Sequence, residues 1–95
     1  MIIQGKTVNV ITLNANEMAT IKYDRGYFFI VDIVNYGQGI VYVNWQGTAT
    51  IGDTNALMLI PMQAYQIRIN NNSSNIELNI ISSEPSTVQV VRTVM

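Results

Sequence analysis

Isoleucine and valine supply 24 of the 95 residues, and they fall in short runs separated by glycine, proline or asparagine-rich breaks. Branching at Cβ restricts χ1 and favours the pleated backbone, so such runs read as strands. No segment of ten residues or more carries the three- and four-residue apolar spacing of a helix, whereas two-residue alternation recurs throughout. The chain therefore predicts an all-β fold, an antiparallel β-sandwich of about 8 short strands with no substantial helix, filling residues 1–95 as a single domain. Jelly-roll and immunoglobulin-like connections both fit this spacing.

The expected strands are 7–13, 18–23, 27–35, 40–45, 48–51, 57–60, 64–70, 76–81 and 87–94. Asn14-Ala15-Asn16, Asp24-Arg25-Gly26, residues 71–75 and residues 82–86 provide turns between them. Tyr36-Gly37-Gln38-Gly39, with glycines free to take positive φ, gives the strongest hairpin signal and joins 27–35 to 40–45. Gln46-Gly47 closes a second tight turn, Gly52-Asp53-Thr54-Asn55 forms a loop, and Pro61, lacking an amide donor, ends the strand before it.

Composition narrows the function classes. Charged residues make up 12% of the chain, about half the roughly 25% of an ordinary soluble domain, while asparagine occurs eleven times. Uncharged polar groups, or burial in an assembly, must cover the surface instead. A net charge of −1 offers no footprint for a phosphate backbone, so nucleic acid is not an expected partner. No apolar run reaches the length of a membrane span, and the first ten residues lack the regions of a signal peptide. Neither a membrane nor export is expected. The absence of cysteine suits a reducing cytoplasm and removes disulfides and thiolate metal sites.

Histidine is absent too, which leaves neither the commonest general base nor the strongest nucleophile. Asp24, Asp32, Asp53, Glu77 and Glu84 are scattered, and residues 52–55 offer too few oxygens for calcium. No catalytic residue, metal ligand or cofactor is expected, and the chain reads as a non-enzyme.

Candidate contact residues follow from strand faces. Tyr27, Phe29, Val31 and Ile33 fill one side of 27–34, which leaves Phe28, Ile30 and Val34 pointing outward around Asp32. A loop or the amino-terminal segment could cover this second apolar side; a subunit interface is the other reading. The run at 57–60 poses the same problem, so Leu57, Met58 and Met62 join the candidates. A carbohydrate site is the alternative, built on Tyr42, Asn44, Trp45, Gln46 and Asp53, which include stacking faces and amides. Alternation argues against it, because Trp45 shares a side with Val41 and Val43 and reads as the end of a buried row, with Tyr42 and Asn44 opposite.

The order of residues 27–53, then 57–67, then 75–93 resembles the small all-β virion accessory proteins of tailed bacteriophages, of the capsid decoration or cement type. The shared pattern is a hairpin, a short Gly/Thr segment, a strand ending at a turn, and a closing hairpin. Pro61-Met62-Gln63 stands where a glycine turn is frequent in that pattern. The resemblance implies a protein made in the host cytoplasm and added to the virion. There it would bind the major capsid protein or other virion proteins as a homo-oligomer or in many copies, and reinforce the shell. The alternative places a glycan-binding sandwich module on a phage tail or fibre.

Overall fold

The computed structural model describes residues 1–23, 29–53, 56–69 and 76–94. Among the described residues nine strands occur: β1 (Ile2–Gln4), β2 (Val8–Leu13), β3 (Ala19–Tyr23), β4 (Phe29–Asn35), β5 (Val41–Asn44), β6 (Leu57–Leu59), β7 (Ala64–Ile69), β8 (Ile76–Ser82) and β9 (Ser86–Val94). They form a five-stranded sheet in the order β1-β3-β8-β5-β6 and a four-stranded sheet in the order β2-β9-β4-β7.

The pairing has a simple rule. β2 pairs with β9, β3 with β8, β4 with β7 and β5 with β6, all antiparallel, so the chain is one long double ribbon whose tip is the β5–β6 connection. Rolling that ribbon brings β9 beside β4 and β8 beside β5, again antiparallel. This is jelly-roll order, which resolves the two topologies the sequence left open. β1 is an addition at one edge, and it pairs with β3 in parallel, the exception to the antiparallel expectation.

Rolling also changes what the turns do. Every connection except β5–β6 passes from one sheet to the other. Residues 36–39 therefore do not close a hairpin between β4 and β5, and residues 83–85 do not close one between β8 and β9. The glycines at 37 and 39 serve close approach rather than positive φ: a Cβ on Gly37 would lie 2.7 Å from Ser86 Cα, and one on Gly39 would lie 2.9 Å from Glu84 Cβ. Among described glycines, positive φ belongs to Gly52, at 79°. It lies in the ribbon-tip loop, where residues 48–51 form no strand. The expected turns at 24–26 and 71–75 lie outside the described residues.

Period-2 patterning places the core between the sheets. β4 alternates buried Phe29, Val31, Ile33 and Asn35 with half-buried Ile30, Asp32 and Val34. Val41 and Val43 of β5, Ile21 of β3, Leu78 and Ile80 of β8 and Leu59 of β6 meet them from the other sheet, all fully buried. Trp45 packs against this cluster from beyond the end of β5, as its spacing from the two valines predicts.

Asn35 is the most heavily hydrogen-bonded of the polar side chains buried there, beside Ser82 and Ser86. Its Nδ2 donates to the carbonyls of Gly39 (2.8 Å) and Leu59 (3.0 Å), and its Oδ1 accepts from the Gly37 amide (3.0 Å) and the Ser86 hydroxyl (3.5 Å). Its backbone donates to Gln63 O and accepts from Met62 N. One fully buried side chain thus ties together three crossing segments, the 36–39 connection, β6 and the start of β9, and satisfies groups that would otherwise be stranded.

Candidate interaction surface

The outer faces of the two sheets carry the side chains that alternation turns away from the core. On the β3-β8-β5-β6 sheet, Lys22 and Glu77 form an exposed ion pair of 3.5 Å, and Thr20, Asn79 and Asn44 fill the next row. The following row is apolar: Tyr42 lies opposite Ile81 on one side and Met58 on the other. Met58 is 49% exposed; Ile60, past the strand end, is 50% exposed and Met62, at the corner turn, 69%. This flank of the sheet carries no charged side chain among the residues of its apolar row and corner. Thioethers adapt to irregular partner surfaces, and tyrosine offers a rigid apolar ring with a polar tip, so the composition suits protein contact.

Met62 combines exposure with an unusual backbone. Its φ is 65°, a left-handed value that costs an L side chain about 1 kcal/mol or more. The turn is held by Met62 N donating to Asn35 O (2.7 Å), Gln63 N to Ile60 O (3.1 Å), and Ile60 N to the Gln63 side chain (3.0 Å). Met62 thus adopts a conformation that glycine favours while carrying a large apolar side chain.

The opposite outer face, on the β2-β9-β4-β7 sheet, carries Val8, Val10, Val91, Ile30 and Val34. Asp32 lies among them and accepts a 3.1 Å hydrogen bond from the Gln66 amide. Ile30 and Val34 point outward as the sequence indicates, but they lie across the sandwich from Met58. One contact surface cannot use both groups. Leu57 is corrected outright: its cross-strand partner is Val43, so it shares the inward face and packs against the core. Phe28 lies outside the described residues.

The residues of the glycan alternative do not converge. Tyr42 is on the outer face, whereas Trp45 packs against the core. Asn44 is engaged in its own turn, its Oδ1 accepting from Gln46 N (2.8 Å) and its Nδ2 donating to Thr48 O (3.3 Å). Asn79 holds the same loop through Gly47 O (2.6 Å). Asp53 sits half-buried farther along the tip loop, its amide donating to Thr50 O. These polar groups build the ribbon tip and leave no shared stacking platform.

Two features had no sequence signal. A shallow groove of about 460 Å³ runs between the 36–39 and 83–85 connections, lined by Thr12, Gln38, Glu84 and Thr87 among others. Tyr23 is fully buried, with the Arg92 guanidinium 5.2 Å from its ring centroid. Burial pushes its hydroxyl up to about 12, the nearby Arg92 charge opposing this, so Tyr23 is neutral at ordinary pH. Its hydroxyl has no hydrogen-bond partner among the described residues. Among the described residues no three acidic side chains group as metal ligands would.

No protein-family model matches the chain, and no curated protein matches it. Solved structures do. A de novo designed double-stranded β-helix is similar at TM-score 0.63 and 16% identity, covering 93% of this chain and 100% of that one. The pre-peptidase C-terminal domain of collagenase from Bacillus anthracis is similar at TM-score 0.61 and 11% identity, covering 97% and 92%. PirA is similar at TM-score 0.64 and 13% identity, covering 94% and 95%. At these identities the likeness is one of fold: a β-sandwich of the double-stranded β-helix kind.

Proposed function

We propose that this chain is a non-enzymatic structural protein of a bacteriophage virion, a capsid decoration protein that docks on the shell and stabilises it. One observation carries the docking part of the reading, the uncharged apolar strip Ile81, Tyr42, Met58, Ile60 and Met62 on an outer sheet face and its corner. Contiguous exposed apolar area of this kind marks contact sites. The virion assignment rests on the resemblance of residues 27–93 to decoration proteins, with low charge and short polar loops in keeping with it. The partner is then the major capsid protein or a neighbouring virion protein, met in many symmetric copies.

The test is binding of purified protein to capsids that lack it, read by co-sedimentation and by the temperature at which shells open. Wild type should bind and raise that temperature. Burying a methionine or isoleucine contributes about 2 kcal/mol, so Met58→Asp or Ile60→Asp should weaken binding about 30-fold or more. Absence of wild-type binding, with equally stable bare shells, would reject the decoration role. Unchanged binding by both variants would reject this strip as its contact.

A further inference from the structure

Two sheets have four edges, and three of them are guarded. β1 and β6 are each three residues long, and Pro61 follows β6 closely. β7 carries Arg68. Short length, proline and charge are the usual devices that stop an open edge from pairing with another chain. β2 has none of them. It runs six residues, VNVITL, without charge, proline or glycine, in unbroken register with β9.

The phase of its hydrogen bonds can be read off. Arg92 N donates to Thr7 O, so Thr7 and Arg92 are a hydrogen-bonded pair of the β2·β9 ladder. Alternation then directs the backbone groups of Asn9, Ile11 and Leu13 toward β9, and those of Val8, Val10 and Thr12 toward the open edge. The same two valines are 47% and 67% exposed on the outer face.

We infer that β2 is a self-association edge, where a second copy of this chain adds antiparallel to it about a two-fold axis at Val10. In that register Val10 pairs with its own copy and Val8 pairs with Thr12, both β-branched pairs suited to a ladder. Every outward amide and carbonyl of Val8, Val10 and Thr12 finds a partner. Lys6 meets Asn14 at each end, so no like charges oppose. The inference does not depend on the virion reading, because it concerns the purified protein alone.

Sedimentation equilibrium at high micromolar concentration should show a dimer for wild type. Val10→Pro removes an amide that faces the edge and leaves the β9 ladder intact, and Val10→Lys places a charge there; either should give a monomer with an unchanged circular dichroism spectrum. Should the proline variant fail to fold, the lysine variant decides alone. The chain has no cysteine, so Val10→Cys gives an unambiguous covalent probe. A hydrogen-bonded antiparallel pair separates Cα atoms by about 5.5 Å, within disulfide reach. Mild oxidation should cross-link Val10→Cys and leave Val8→Cys largely single. A monomeric wild type, a Val10→Lys dimer as tight as wild type, or preferential cross-linking at position 8 would each overturn the inference.

Discussion

Replacing Asn35 by alanine tests whether one buried amide holds the rolled ribbon together. The substitution strands the carbonyls of Gly39 and Leu59 and the amide of Gly37, three groups now bonded to Asn35 at 2.8, 3.0 and 3.0 Å. Each lost bond costs about 1–1.5 kcal/mol where water cannot replace it, so the three together cost roughly 3–4.5 kcal/mol, before any cavity term. A chain of this length has a total stability of roughly 5–14 kcal/mol, so the loss is a large fraction of it. Trp45, the single tryptophan, packs on the core and reports unfolding by fluorescence in urea. With a slope of about 1–3 kcal/mol per molar urea, the midpoint should fall by more than about 1 M at unchanged slope. Asn44→Ala is the control. That side chain also makes two hydrogen bonds, but at exposed sites, and its loss should cost under about 1 kcal/mol. Equal effects at positions 35 and 44, or a loss below about 1 kcal/mol at 35, would refute the assignment of Asn35 as the junction.

Gly37→Ala should destabilise by about 1–3 kcal/mol in the same urea titration, because its new Cβ would press on Ser86 backbone, while Gly47→Ala, with its nearest neighbour at 4.0 Å, should be nearly neutral. Met62→Gly should raise the unfolding midpoint by relieving the positive φ, about 1 kcal/mol, and at the same time weaken capsid binding by deleting an exposed apolar side chain. Alkaline titration should reveal Tyr23. Its hydroxyl is held near 12 in the fold against 10.0 unfolded, so its contribution is fully present below pH 10 and is lost as pH rises from 10 toward 12, roughly 2–3 kcal/mol in all. Tyr23→Phe should flatten that decline, followed by circular dichroism, and removing an unpartnered hydroxyl should leave the protein at least as stable at neutral pH.

Side-chain direction was legible because alternation is a local property of a strand. Phe29, Val31 and Ile33 inward with Ile30 and Val34 outward, and Trp45 in series with Val41 and Val43, follow from two-residue spacing alone. Strand pairing was not legible. Residues 36–39 look the same whether they close a hairpin or step between sheets, and what decides is that β4 finds β9 and β7 while β5 finds β8 and β6. Those partners are distant in sequence. In the run at 57–60 no polar residue marks a face, so only the register of Leu57 on Val43 shows that Leu57 turns in and Met58 out. In β2 both faces are partly apolar. Asn9 turns inward because its amide donates to Gln4 O and its Oδ1 accepts from Lys6 N, and that sends Val8 and Val10 outward. The polar hub at Asn35 was hidden among eleven asparagines, since nothing local separates a buried junction from a turn residue.

The two surfaces acquire a joint meaning from symmetry. Antiparallel pairing of β2 with its copy places the two-fold axis perpendicular to the sheet, so like faces of both copies look the same way. The outer face that bears Val8, Val10 and Val34 becomes one broad eight-stranded surface. On the other side of the sandwich, two strips of Tyr42, Met58 and Ile60 face a common direction. A dimer built this way would meet the repeating surface of the proposed shell with two equivalent contacts at once, the second forming at the effective concentration set by the first. In the inferred dimer the β2-β9-β4-β7 sheet would join copies through its β2 edge, and the Tyr42, Met58 and Ile60 strip of the β3-β8-β5-β6 sheet would stay free for the proposed partner.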